Sequence, residues 1–293
     1  MGMLLTLVAI GGCRPSTAPA TATRPAGDLP PPSPAGQEPM KAVTAETPAS
    51  RIGVLLIRLR VASIEVPVGT ASNCEKMWSY LDEEPIGALR SASLGRNGVR
   101  IGLGRKQDWS DVARLLEDMT GRRLKETAIL AVPGQPVPVA MKTQSPPQTI
   151  FTFHDDRTLR GGDYPAGDNL LTLSCTIDEN HPTRIVVTGQ PQIETTSRKI
   201  EFVQGPQGLM MMPKSQVFSF PEMAFSFTIE SGNLFVVGPS TESRRLVSVG
   251  YNFLYRQKQG VEYETLLVVI PDVFYAPPKG TAPVDLPPMQ AKR

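Results

Sequence analysis

Two hydrophobic periods alternate along the chain. Residues 52–66 (IGVLLIRLRVASIEV) are apolar and β-branched, and the run stops at Pro67. That pattern predicts one long strand, or two in succession. Ser72-Asn73-Cys74-Glu75 has capping-box spacing, with Ser72 as N-cap, and Met77, Trp78 and Leu81 continue it as a helical stripe. Pro85 opens a second short helical piece over 86–94. Asn97-Gly98 signals a turn before an alternating strand at 99–103. Val112, Leu115, Leu116 and Met119 recur at helical spacing, which predicts a helix over 108–120 that Gly121 stops. Residues 51–126 therefore read as a small α+β domain.

From Thr127 the helical period vanishes. Short apolar or alternating runs recur at 128–132, 137–141, 149–153, 170–177, 184–188, 225–229, 234–237, 246–255 and 265–270. Turn residues separate them, so 127–275 reads as a mainly antiparallel β domain. Phe225, Phe227 and Ile229 oppose Ser226, Thr228 and Glu230. Ser231-Gly232-Asn233 predicts a hairpin joining that strand to 234–237. Val247, Val249, Tyr251, Phe253 and Tyr255 alternate with Ser248, Gly250, Asn252 and the out-of-phase Leu254. They predict a strand about long enough to cross a bilayer, with one face as a candidate membrane or oligomer surface. The fold class is α+β: a small N-terminal α+β domain followed by the β domain.

Composition changes the picture mainly at the ends. Proline is 29 of 293 residues, about twice average usage. Residues 14–50 and 276–293 concentrate it without any hydrophobic period, which predicts a polyproline-like linker and a disordered tail. The opening run, Met1 to Ile10, is too short to span a bilayer as a helix and has the size of a signal-peptide core. Ile10-Gly11-Gly12-Cys13 resembles the bacterial lipobox, although no basic residue precedes Arg14. The resemblance implies that Cys13 is lipidated after a 1–13 signal peptide, tethering the chain to the outer membrane or within the periplasm. Thirty Lys+Arg against 28 Asp+Glu leave a formal charge of +2, which gives no bulk electrostatic footprint for nucleic acid. Cys74 and Cys175 remain as a candidate disulfide in an oxidising compartment, or as two separate buried thiols.

Four segments of the second half together resemble the C-terminal domain of the type II/III secretion system secretins, outer-membrane channel proteins of bacterial secretion and pilus systems. Gly134-Gln135-Pro136-Val137-Pro138-Val139 is similar to an early strand of that domain. Residues 167–187 (GDNLLTLSCTIDENHPTRIVV) and 224–238 (AFSFTIESGNLFVVG) are similar to two of its hairpins. Residues 263–273 (YETLLVVIPDV) are similar to its closing strand. The chain departs from the family at Val237-Gly238-Pro239-Ser240, where Gly-Gly-Leu is usual, and in a shortened loop at 248–254. The resemblance implies a homo-oligomeric ring or contacts with secretion-system proteins.

Candidate chemistry is sparse. His154-Asp155-Asp156 follows a strand and could supply metal ligands or a base, but a zinc site needs three or four ligands and the only other histidine is His181. His181 lies in a turn composition, Asp178-Glu179-Asn180-His181-Pro182. Gly95, Gly98, Gly102 and Gly104 have neither phosphate-loop spacing, and no GxSxG elbow occurs. Met210-Met211-Met212 reads as an apolar loop tip or a packed strand. No catalytic residue, metal or cofactor is assigned, and the expectation is a non-enzyme. The two readings are a secretin-like outer-membrane lipoprotein and a periplasmic lipoprotein scaffold that forms no pore.

Overall fold

A computed structural model describes residues 54–155, 158–205 and 208–276. The expectations on Cys13, the 1–13 signal, the 14–50 linker and the tail beyond Ala276 lie outside the described residues. The first half supplies β1 (Val54–Pro67), α1 (Glu75–Trp78), α2 (Ala88–Arg96), β2 (Val99–Gly104) and α3 (Trp109–Thr120). The second half supplies β3 (Thr127–Ala131), β4 (Pro136–Ser145), β5 (Gln148–Phe153), β6 (Leu159–Tyr164), β7 (Gly167–Ile177), β8 (Arg184–Gly205) and β9 (Gly208–Ser219). It ends with β10 (Phe225–Glu230), β11 (Leu234–Pro239), α4 (Val249–Leu254), β12 (Tyr255–Lys258) and β13 (Val261–Ala276). The architecture is mostly antiparallel sheet with few helices.

The segments split at 126/127 by the sequence pattern share one sheet. Its order is β2-β11-β13-β1-β3, with β12 also on β13. β1 and β2 from the first half thus pair with β13 and β11 from the second, so the expected boundary does not separate two cores. A second sheet runs β10-β8-β7-β4, with β9 on β8, and β5 and β6 form a separate pair.

The first sheet is covered on both faces. One face packs on the second sheet through Ile57, Leu59, Phe235, Leu267 and Val269 against Leu171, Leu173, Ile185, Val187 and Phe227. The other packs on helices through Ile64, Val66, Leu234, Val236, Leu266 and Val268 against Met77, Trp78, Val112 and Leu116. Burial on two faces explains the unbroken apolar runs of β11 and β13, since no position is left to be polar.

β1 is one strand whose buried face changes partway. Ile57, Leu59 and Val61 face the second sheet while Arg58 and Arg60 stay out. After the adjacent Val61-Ala62 pair, Ala62, Ile64 and Val66 are buried under the helices and Ser63 and Glu65 are not. The sequence pattern carries the same phase shift. α3 ends as its sequence requires: Gly121 takes φ 64°, the left-handed C-cap. The capping box does not form. α1 starts after Cys74, which makes no side-chain cap. Ser72 is buried, and its amide and that of Ala71 donate to Glu264 Oε1 at 2.9 and 2.6 Å. Glu264 thus takes the Ser72 amide that the Glu75 side chain would accept from in a capping box, and the Glu75 amide donates to the Asn73 carbonyl at 3.0 Å instead.

Ser231-Gly232-Asn233 is a turn, with Gly232 at φ 85°, but it closes no hairpin. β10 pairs with β8 in the second sheet, whereas β11 pairs with β2 and β13 in the first. Burial decides this. β10 buries alternate residues and suits a one-sided sheet, while every residue of β11 is buried. The turn is therefore a corner between sheets.

Candidate functional site

A cluster of exposed large apolar side chains lies on a hairpin that the sequence reading largely missed. β7 pairs with β8 as far as Gly167↔Thr195. Among the described residues, β8 then continues through 196–205 with only β9 beside it, in a register that includes Phe202↔Met211 and Gln204↔Leu209. At strand rise these residues extend roughly 30 Å beyond the last β7 pairing. Ile200 and Phe202 lie two apart on β8, and Met211 and Leu209 stand across from that same face. They are 60%, 64%, 61% and 73% exposed. Four large apolar side chains on one face of a two-stranded ribbon form a surface that water does not favour. A bare two-stranded ribbon is also marginally stable by itself.

Met210-Met211-Met212 thus lie within strand β9, with Met211 on the exposed face. The signal available for this hairpin was weak. Ile200 and Phe202 alternate around Glu201 within its outgoing arm, and the adjacent Val203 blurs even that short period.

The strand expected at 246–255 is not there. Val249–Leu254 is helix α4, with Ser248 as N-cap accepting from the Tyr251 amide at 3.1 Å. Val249, Gly250, Phe253 and Leu254 are buried, the i, i+1, i+4, i+5 set of one helix side. Leu254, out of phase as a strand residue, is in phase as a helix residue. The candidate membrane face is therefore split. Val249, Phe253 and Tyr255 are core, Tyr251 is half-buried, and Val247 is exposed. The Tyr251 hydroxyl donates to Glu262 Oε1 at 3.2 Å, and burial with that carboxylate raises its pKa. Its ring stacks on Tyr255 at 5.3 Å.

Cys74 and Cys175 are separate thiols rather than a disulfide. Cys175 is buried between the sheets, while Cys74 packs against the helix-side cluster. The first sheet stands between those clusters. Burial pushes the Cys175 thiol up to about 11.

The two histidines keep different company. His154 Nε2 is 3.2 Å from Thr152 Oγ1, and its Nδ1 is 3.5 Å from Glu222 Oε1. Asp155 accepts from Ser93 Oγ at 3.2 Å and faces Arg90 at 3.7 Å. Asp156 lies outside the described residues. His181 pairs with Asp178 at 3.4 Å within the β7–β8 turn. The Asn180 amide holds the Asp178 carboxyl below its usual range. Among the described residues, no group of three or more His, Cys, Asp or Glu could hold a metal ion. No described helix is long and apolar enough to cross a membrane.

No family model matches the chain, and no curated protein matches it closely enough to name a relative. Among solved structures, the chain is similar to the V. cholerae type IV competence pilus secretin PilQ, at 12% identity and a TM-score of 0.19. That likeness covers 75% of this chain and 57% of the secretin, so the chain spans little more than half of that protein's length.

Proposed function

We propose that the chain is a secretin-related component of a bacterial envelope assembly, tethered through lipid on Cys13, acting through protein contacts rather than catalysis. The observation that carries this reading is the β8–β9 hairpin with Ile200, Phe202, Leu209 and Met211 exposed on one face. One chain offers too few such strands to close a wall, and an open edge is not stable against lipid. Copies side by side would cover the apolar faces and pair the ribbon edges. The ordered set of secretin-like segments in the second half supports the same reading.

A second reading is favoured by α4. The strand expected to help build a membrane wall is a helix packed into the core, which leaves one hairpin as the wall element. On that reading the chain is a lipid-anchored periplasmic scaffold without a pore, and the hairpin meets a different protein.

The test is negative-stain microscopy and native electrophoresis of the detergent-extracted protein, beside a Phe202→Asp, Met211→Asp variant. Both side chains are exposed, so the variant should stay folded. Rings in the wild type that fall to monomers in the variant support the assembly. A wild type that is strictly monomeric and leaves planar bilayers non-conducting removes the pore and retains the scaffold. Cys13→Ser should move the protein to the soluble fraction; palmitate label remaining on that variant would overturn the tether.

A further inference from the structure

Strand β1 carries a second unfinished edge, away from the hairpin. Along its length one side pairs with β13. On its other side β3 covers only Ile57–Val61, opposite Thr127–Ala131. From Ala62 to Val66 no described backbone group bonds to that outer side. α3 covers one face of this stretch, but a helix above a sheet does not satisfy the edge. Open edges of this kind accept an added strand from another chain.

The edge is not bare. A cavity of about 350 Å³ lies between Ser63 and Ile64 of β1 and Thr120, Arg122, Arg123 and Lys125 of the α3–β3 connection. Adjacent strand residues point to opposite faces, so a cavity touching both Ser63 and Ile64 runs along the edge itself. Arg122, Arg123 and Lys125 are exposed, and none makes an ion pair among the described residues. Three acids on the neighbouring elements are engaged, while Asp118 of α3 is exposed. Glu126 is paired with Arg60 at 3.3 Å, and Glu117 accepts from the Leu124 amide at 3.1 Å. Glu65, on the same strand, pairs with Arg256 and Lys258.

We infer that the Ala62–Val66 edge, with Arg122, Arg123 and Lys125, binds an extended acidic segment of a partner protein by strand addition. Main-chain hydrogen bonds to β1 supply the register. The three cations select carboxylates on the side of the added strand that faces the α3–β3 connection. This site is independent of the β8–β9 hairpin and does not depend on ring formation.

The experiment uses the full chain and a fluorescent peptide alternating valine with glutamate over about eight residues, followed by polarisation in about 50 mM salt. Binding should weaken at least about tenfold in an Arg122→Glu, Arg123→Glu, Lys125→Glu variant. These side chains are exposed and unpaired, so the melting curve of that variant should match the wild type. A peptide N-methylated at alternate residues keeps the charge and loses the main-chain donors, and it should not bind. A peptide with lysine in place of glutamate should not bind either. Equal binding of the N-methylated peptide would reduce the site to charge attraction and overturn strand addition. Absence of binding, or binding indifferent to charge reversal, would overturn the proposal. So would self-association of the chain through this edge, shown by a dimer that the same reversal dissociates.

Discussion

Gly250→Ala separates the helix seen at 249–254 from the strand that the alternation suggested. In α4, Gly250 lies directly on the backbone of Gly98. A Cβ added there would fall 2.1 Å from the Gly98 carbonyl oxygen and 2.4 Å from its carbon. No flexible side chain can move aside. Gly98 is held at φ 87°, and its oxygen accepts from the Ser240 amide at 3.1 Å. Gly250 itself donates to the Asn97 carbonyl at 2.9 Å. Two opposed effects decide the sign. Alanine gains about 1 kcal/mol over glycine in a helix. Overpacking costs about 1–3 kcal/mol, and a backbone clash sits at the upper end of that range. The net is a loss of about 2 kcal/mol. For a unit of this size that lowers Tm by about 4–8 °C. The assay is a thermal melt by circular dichroism, with Gly95→Ala as control. Gly95 lies in α2 with nothing within 4 Å of an added Cβ, so its Tm should hold or rise. In a strand, removing a glycine would stabilise. A Gly250→Ala protein as stable as the wild type, or more so, would refute the packing of α4 on Gly98.

Three further outcomes follow from the burial of particular groups. The Asn97 side chain accepts from the Phe153 amide at 2.7 Å and donates to the Phe153 and Ser93 carbonyls at 3.0 and 3.1 Å. Asn97→Ala should cost about 2–4 kcal/mol, read as a lower urea midpoint, with faster exchange of the Phe153 amide; an unchanged midpoint would show that water replaces the side chain. Cys175, with its pKa raised to about 11 by burial, favours the folded state as the neutral thiol. That contribution is fully present below the unfolded thiol value of about 8.5 and is lost as pH rises through about 11. A Cys175→Ala variant should therefore lose less stability than the wild type between those pH values. In a Cys13→Ser chain near neutral pH, a thiol reagent should label Cys74 quickly and Cys175 only after denaturation. Equal labelling rates would contradict the burial.

Local patterns in the sequence determined local structure well. The i, i+3, i+4, i+7 stripe and Gly121 defined α3, and the phase shift at Val61-Ala62 is visible in β1. The runs at 137–141, 149–153, 170–177 and 265–270 all lie within strands. These features were legible because burial on one face imposes a period that any partner surface would satisfy. The choice of partner was not legible. Nothing local in Ser231-Gly232-Asn233 says that the flanking strands enter different sheets, or that β1 and β2 join β11 and β13 across the expected boundary. At 246–255 an alternating pattern and a helical one overlap, and contact with Gly98, far away in sequence, settled the matter. The β8–β9 hairpin and the open edge of β1 were illegible for the complementary reason. Each is defined by what fails to pack against it, and an absent neighbour leaves no period in the chain. The order of residues marks which positions seek burial; the assembled fold selects which of them find it, because burial is a property of pairs of surfaces and a single segment encodes one of them.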